Sequence, residues 1–93
     1  MGGMDNQDSS SMSDLKERIA TEIRPLIPQL KNPEDRFYAL ITLLRERWNG
    51  NLANEAFEAA KNIHDPEAKV RSMQAIMAEI NYREHATDEA ATE

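Results

Sequence analysis

Cysteine is missing from the 93 residues, so disulfides, thiolate nucleophiles and Cys-based zinc sites are all excluded and core packing alone must hold the fold. No apolar run approaches the roughly 18 residues a bilayer crossing requires, and the first residues carry neither the basic nor the apolar stretch of a signal peptide. The expected location is therefore cytoplasmic, with no membrane partner. With three glycines in the whole chain there is no glycine-rich phosphate loop, and there is no nucleophile elbow. What remains, 40% hydrophobic and 30% charged residues, fits one small soluble domain.

The formal charge of -6 is unevenly placed. All eleven Lys and Arg lie between Lys16 and Arg83, whereas Asp5, Asp8, Asp88, Glu89 and Glu93 occupy the two ends. The other twelve of the seventeen acids face eleven bases in residues 14–85, a charge of -1. A middle this close to neutral has neither the basic stripe that neutralises phosphates nor the acidic face of a DNA mimic, so it disfavours a nucleic-acid partner.

Residues 1–12 (MGGMDNQDSSSM) hold glycine, serine and acids with methionine as the one apolar type. Such a segment buries too little to offset the entropy of ordering and is read as disordered. Met12-Ser13-Asp14 reads as a plausible native start, with Gly2-Gly3 as a remnant of cloning. Asn6 stands where a myristoylation signal would have Ser or Thr. The polar stretch 85–93 is expected to be a disordered acidic tail, leaving a four-helix domain over 13–84.

Within that domain the apolar period is helical throughout. Helix one carries Leu15, Ile19, Ile23, Leu26, Ile27 and Leu30, with Asp14 and Glu17 as a capping pair. Pro25 and Pro28 remove amide donors in its second half, which predicts a kink or break after Ile23. Asn32-Pro33-Glu34-Asp35 is a helix start, since Asn can accept from a free amide, Pro suits the first turn and acids suit the positive dipole end. Helix two then presents Phe37, Leu40, Ile41, Leu43, Leu44 and Trp48, and Asn49-Gly50 is expected to stop it in a left-handed turn. Helix three begins near Asn51 and offers Leu52, Ala53, Ala56, Ala59, Ala60 and Ile63, a small-residue face that admits a close neighbour. Asp65-Pro66-Glu67 repeats the start signal, and helix four follows with Val70, Met73, Ile76, Met77 and Ile80. The fold class is all-α, four antiparallel helices joined by short connections.

A shift of 33 residues lays Asn32-Pro33-Glu34 on Asp65-Pro66-Glu67, Arg36 on Lys69, Phe37 on Val70, Leu40 on Met73 and Leu43-Leu44 on Ile76-Met77. Capping, charge and core positions coincide together, at a period found in stacked helical hairpins. From Arg36 to Pro66 the chain resembles a tetratricopeptide repeat: an A helix with Tyr38-Ala39-Leu40, a Gly50-Asn51 turn, a B helix with Glu55-Ala56-Phe57-Glu58-Ala59-Ala60, and a closing Asp65-Pro66. The resemblance spans one unit plus a preceding and a following helix, about residues 14–83. It implies two stacked helical hairpins and a protein-binding role on the surface lined by A helices. A plain four-helix bundle accounts for the same periodicity.

The surface so implied consists of Tyr38, Thr42, Arg45 and Asn49 on helix two, over Arg71, Ala75, Ala78 and Tyr82 on helix four. Tyr and Arg are enriched where proteins meet. Met73 and Met77, with Ile27, Ile41 and Trp48, are further candidates for a client-binding or self-association patch, because flexible Met side chains suit adaptable surfaces. A folded segment near 70 residues is small enough that a homodimer or a bound partner would help its stability. The leading expectation is thus a small adaptor or chaperone-like module that binds another protein.

Other classes draw less support. His64 and His85 have no Cys or His beside them to build a metal shell, no cofactor is implied, and Glu34/Asp35 and Glu55/Glu58 are explained by helix-dipole and surface effects, so an enzyme is not expected. A DNA-binding regulator of helix-turn-helix type would use helix four as its recognition helix, yet that helix opens on Asp65 and Glu67 and supplies only Lys69 and Arg71 against phosphate. A secreted bacterial effector is the third possibility, with residues 1–12 as a disordered export signal.

Overall fold

The computed structural model describes residues 2–92, with side chains over 11–85. Among the described residues there are four α-helices, α1 (Gly2–Ile23), α2 (Pro33–Glu46), α3 (Gly50–Lys61) and α4 (Pro66–Thr92), one 3-10 helix (Arg24–Gln29), and no strand. The disordered ends expected over 1–12 and 85–93 lie, apart from 11, 12 and 85, outside the residues whose side chains are described. Residues 11–13 are helical, so Asp14 lies inside α1 and does not cap it.

The proline-directed break falls where expected. α1 ends at Ile23 and the chain tightens into the 3-10 helix, with Pro25 in its first turn and Pro28 within it. Each proline lacks the amide that an α-helix would need there. Leu30 then turns extended, its amide donating to the Ile27 carbonyl at 3.1 Å. Arg24 of this segment holds Glu55 of α3 through both guanidinium nitrogens, the Nη1–Oε1 distance being 3.1 Å. That hydrogen bond raises Arg24 above its ordinary value against the opposing effect of burial, with the carboxylate's charge adding a lesser contribution.

α2 starts as its sequence directs. The Asn32 side chain accepts from the Glu34 amide at 2.8 Å and Pro33 takes the first helical position. The helix stops at Glu46, short of Trp48, and the Asn49-Gly50 pair does not form a left-handed stop. Asn49 is extended (φ -154°, ψ 121°) and its side chain accepts from the Asn51 and Leu52 amides at 2.8 and 3.3 Å. It is the N-cap of α3, and no glycine among the described residues has positive φ. α4 opens on the equivalent device, Asp65 Oδ2 accepting from the Ala68 amide at 2.9 Å.

The core joins α2 to α3. Leu44, Ala56 and Ala60 are wholly buried, as nearly are Ile41 and Ile63, and Phe37, Leu40, Leu43, Leu52, Ala59, Ile27 and Ile76 complete the cluster. The alanines let α3 approach the leucines of α2 closely, and among the described residues these two helices form the most extensive contact. α4 packs on α3 and, less extensively, on α2.

The outer helices are less covered than their patterns suggest. Of the helix-four face only Ile76 is buried, with Met73 half-buried, while Val70, Met77 and Ile80 are exposed. Of the helix-one face only Ile27 is buried; Leu15, Ile19 and Leu26 are exposed. Periodicity shows which side of a helix would be buried if a neighbour lay there, and among the described residues part of the apolar side of each of these helices is uncovered.

Candidate interaction surface

Tyr38, Thr42 and Arg45 follow one another at four- and three-residue spacing on α2, and all three are exposed. Tyr38 is 71% exposed, since the core takes the adjoining Phe37 and Leu40. The Thr42 hydroxyl donates to the Tyr38 carbonyl at 2.7 Å, so its polar atom serves the helix's own backbone. Asn49 is committed to capping α3 and extends no stripe on α2.

On α4, Arg71 and Ala78 are exposed and Tyr82 is 66% exposed. Ala75 packs partly against the core, as does Met73, whereas Met77 is 63% exposed. Ile27 and Ile41, considered for an adaptable patch, are instead buried and form part of the core. Trp48 remains partly exposed beyond the end of α2.

Two contacts join α2 and the residues just after it to α4. Arg45 Nε donates to Glu79 Oε2 at 3.2 Å, linking α2 to α4. Farther along, the Arg83 guanidinium lies 5.9 Å from the Trp48 ring centroid and 5.6 Å from that of Tyr82, within cation–π range of both. One end of the α2–α4 seam thus gathers an arginine–glutamate pair and an arginine shared between two aromatic rings. Glu79 and Arg83 were missed in the sequence reading. The signal that would have found them is the 33-residue shift itself, which places Arg45 over Ala78 and Trp48 over Asn81, one and two residues from the observed partners.

A concavity lies beside α1. An open groove of about 750 Å³ runs between α1 and the α2–α3 corner, with Ala20, Pro25, Leu43 and Leu52 in its walls. Lys16 Nζ meets Glu46 Oε1 across it at 2.9 Å. His64 and His85 are both exposed, and among the described residues no three His, Asp or Glu side chains cluster as a metal site would require. No described helix is long and apolar enough to cross a membrane.

Set against family models, curated proteins and solved structures, the chain matches none.

Proposed function

We propose that this chain is a small protein–protein interaction module, of adaptor or chaperone-like character and without enzymatic activity, that holds a partner peptide or helix across the outer faces of α2 and α4. The observation that carries the reading is the register of the two helices. Arg45 meets Glu79 and, three residues later, Trp48 meets Arg83 four residues later. Arg45 lies in α2 and Trp48 two residues beyond its end, and contacts that advance together along this segment and along α4 support neighbours running in the same direction, offset by 34 to 35 residues. Stacked helical hairpins place successive A helices in this way, and the offset lies next to the 33-residue shift that superimposes the two capping motifs.

In this arrangement Tyr38 and Tyr82 supply exposed aromatic anchors, Arg45 and Arg71 supply charge-assisted hydrogen bonds, and Thr42, Ala78, Met73 and Met77 shape the surface between them. The mechanism is burial of an apolar anchor of the partner with carboxylates or carbonyls held at its flanks. The exposed apolar residues of α4, Val70, Met77 and Ile80, fit the same reading, because they offer apolar area beside the stripe for a partner to cover.

The test compares wild type with a variant carrying Tyr38→Ala, Arg45→Ala, Arg71→Ala and Tyr82→Ala in affinity capture from native lysate. The variant is expected to lose the captured protein while its far-UV circular dichroism and melting stay close to wild type. Capture that persists unchanged rejects this surface.

A further inference from the structure

Five large apolar side chains of α1 and the following 3-10 helix are spaced symmetrically. Met12, Leu15, Ile19, Ile23 and Leu26 are separated by three, four, four and three residues, so the series reads the same in both directions about Ile19. At 100° per residue Met12, Leu15, Ile19 and Ile23 fall within about 40° of the Ile19 direction, and the three 3-10 residues from Ile23 to Leu26, at about 120° each, keep Leu26 in line with Ile23. Leu15, Ile19, Ile23 and Leu26 line one open groove, and Leu26 continues the seam from the 3-10 helix. Leu15 is 44% exposed, Ile19 47% and Leu26 53%.

We infer that this seam is a self-association site, on which a second copy of the chain lies antiparallel with the two-fold axis passing through Ile19. An isologous interface requires one patch to complement itself, and a palindromic series does so. Ile19 meets the Ile19 of the second copy, Leu15 lies at the height of the second copy's Ile23, and Met12 at the height of its Leu26. In an antiparallel two-fold pair each flank of the seam faces the same flank of the other helix. Arg18 and Glu22 share one flank, so Arg18 of each chain lies beside Glu22 of the other, two pairs of opposite sign. The flank of α1 that carries Lys16 and Ala20 faces the groove toward α2 and α3, so Ile23 at that edge of the seam packs partly on the core, while Leu15, Ile19 and the Arg18–Glu22 flank stay open. The four exposed apolar side chains, Met12, Leu15, Ile19 and Leu26, present on the order of 400 Å² per chain, about the size of the largest apolar patch on an ordinary monomer, which is often a functional one. This is below the roughly 800 Å² per partner of a standard interface, so the dimer is expected to have a dissociation constant in the micromolar range.

The purified full-length chain tests this directly. Sedimentation equilibrium is expected to show a reversible monomer–dimer equilibrium, and Ile19→Asp, which sets two like charges on the axis, is expected to abolish it without loss of helicity. Arg18→Glu and Glu22→Arg should each weaken self-association about tenfold or more, and an equimolar mixture of the two variants should pair again, because each unlike contact is restored in the mixture. As the chain has no cysteine, Ile19→Cys alone should oxidise to a covalent dimer. Leu15→Cys alone should not, whereas Leu15→Cys mixed with Ile23→Cys should give the mixed product. A monomer at every concentration tested overturns the proposal. So does a dimer that survives Ile19→Asp, or Leu15→Cys cross-linking to itself as readily as Ile19→Cys.

Discussion

Arg45 and Glu79, 34 residues apart in the chain, meet at 3.2 Å and tie α2 to α4. The arginine side chain is 53% exposed and the glutamate 20%, so the pair is screened by water on one side only. A double-mutant cycle with Arg45→Ala, Glu79→Ala and the double variant in urea denaturation is expected to give a coupling of about 0.5 kcal/mol, smaller in high salt. A coupling of zero at low salt would remove this tie between the helices. The effect on stability is small enough that Arg45 can be substituted in the capture experiment without unfolding the domain.

How far such contacts can be read from sequence depends on their range. The caps at Asn32 and Asp65 are chemistry within four residues and were legible in full, as was the small-residue face of α3 that admits the leucines of α2. Asn49 was misassigned because the same residue type serves a left-handed stop and an N-cap, and only the backbone angles separate the two. The faces of α1 and α4 were legible as faces, but not as uncovered ones, since periodicity carries no information about which neighbours are present. Within the candidate surface, the exposure of Tyr38 and Tyr82 follows from their place beside the core line. The pairing of Arg45 with Glu79 and of Trp48 with Arg83 depends on helix packing, which no local motif encodes.

The Arg24–Glu55 contact makes a second prediction. It fastens the 3-10 helix to α3 with bidentate geometry, which orients it better than most surface pairs. Arg24→Ala is expected to cost up to about 1 kcal/mol in urea denaturation, with Arg24→Lys recovering only part of that, because an ammonium cannot offer the two parallel donors. The raised guanidinium value sets the sign of the pH effect. Arg24's contribution is fully present below the ordinary arginine range and is lost only as pH rises through its folded value, in strong alkali. Its titration therefore adds no slope to stability near neutral pH.

Asn49 and its neighbour Gly50 should respond in opposite directions to alanine. Asn49→Ala deletes the acceptor for two amides and is expected to destabilise by about 1 kcal/mol. Gly50 is exposed, begins α3 without positive φ, and a Cβ added there meets nothing within 4 Å. Gly50→Ala is expected to stabilise by about 0.5 kcal/mol, chiefly by restricting the unfolded chain. Thermal melts of the two variants beside wild type check both signs, and a destabilised Gly50→Ala would show that the glycine is needed for a conformation the folded chain does not adopt here.

The alanines of α3 allow a sharper test of what holds the domain together. Ala56 and Ala60 are completely buried, as is Leu44 on α2, so the spacing of the two helices is set by small side chains on one and large ones on the other. Ala60→Leu adds three carbons where no space is open, and is expected to cost about 1–3 kcal/mol by pushing the helices apart. Leu44→Ala removes three carbons from the same core and is expected to cost about 2–5 kcal/mol through lost burial and the cavity left behind. If the two sites share one layer, combining them returns volume to the core and the double variant should be more stable than the sum of the single losses predicts. Strict additivity in equilibrium unfolding would place Leu44 and Ala60 in separate parts of the core, and the partner of Ala60 would then be sought among the other buried side chains of α2.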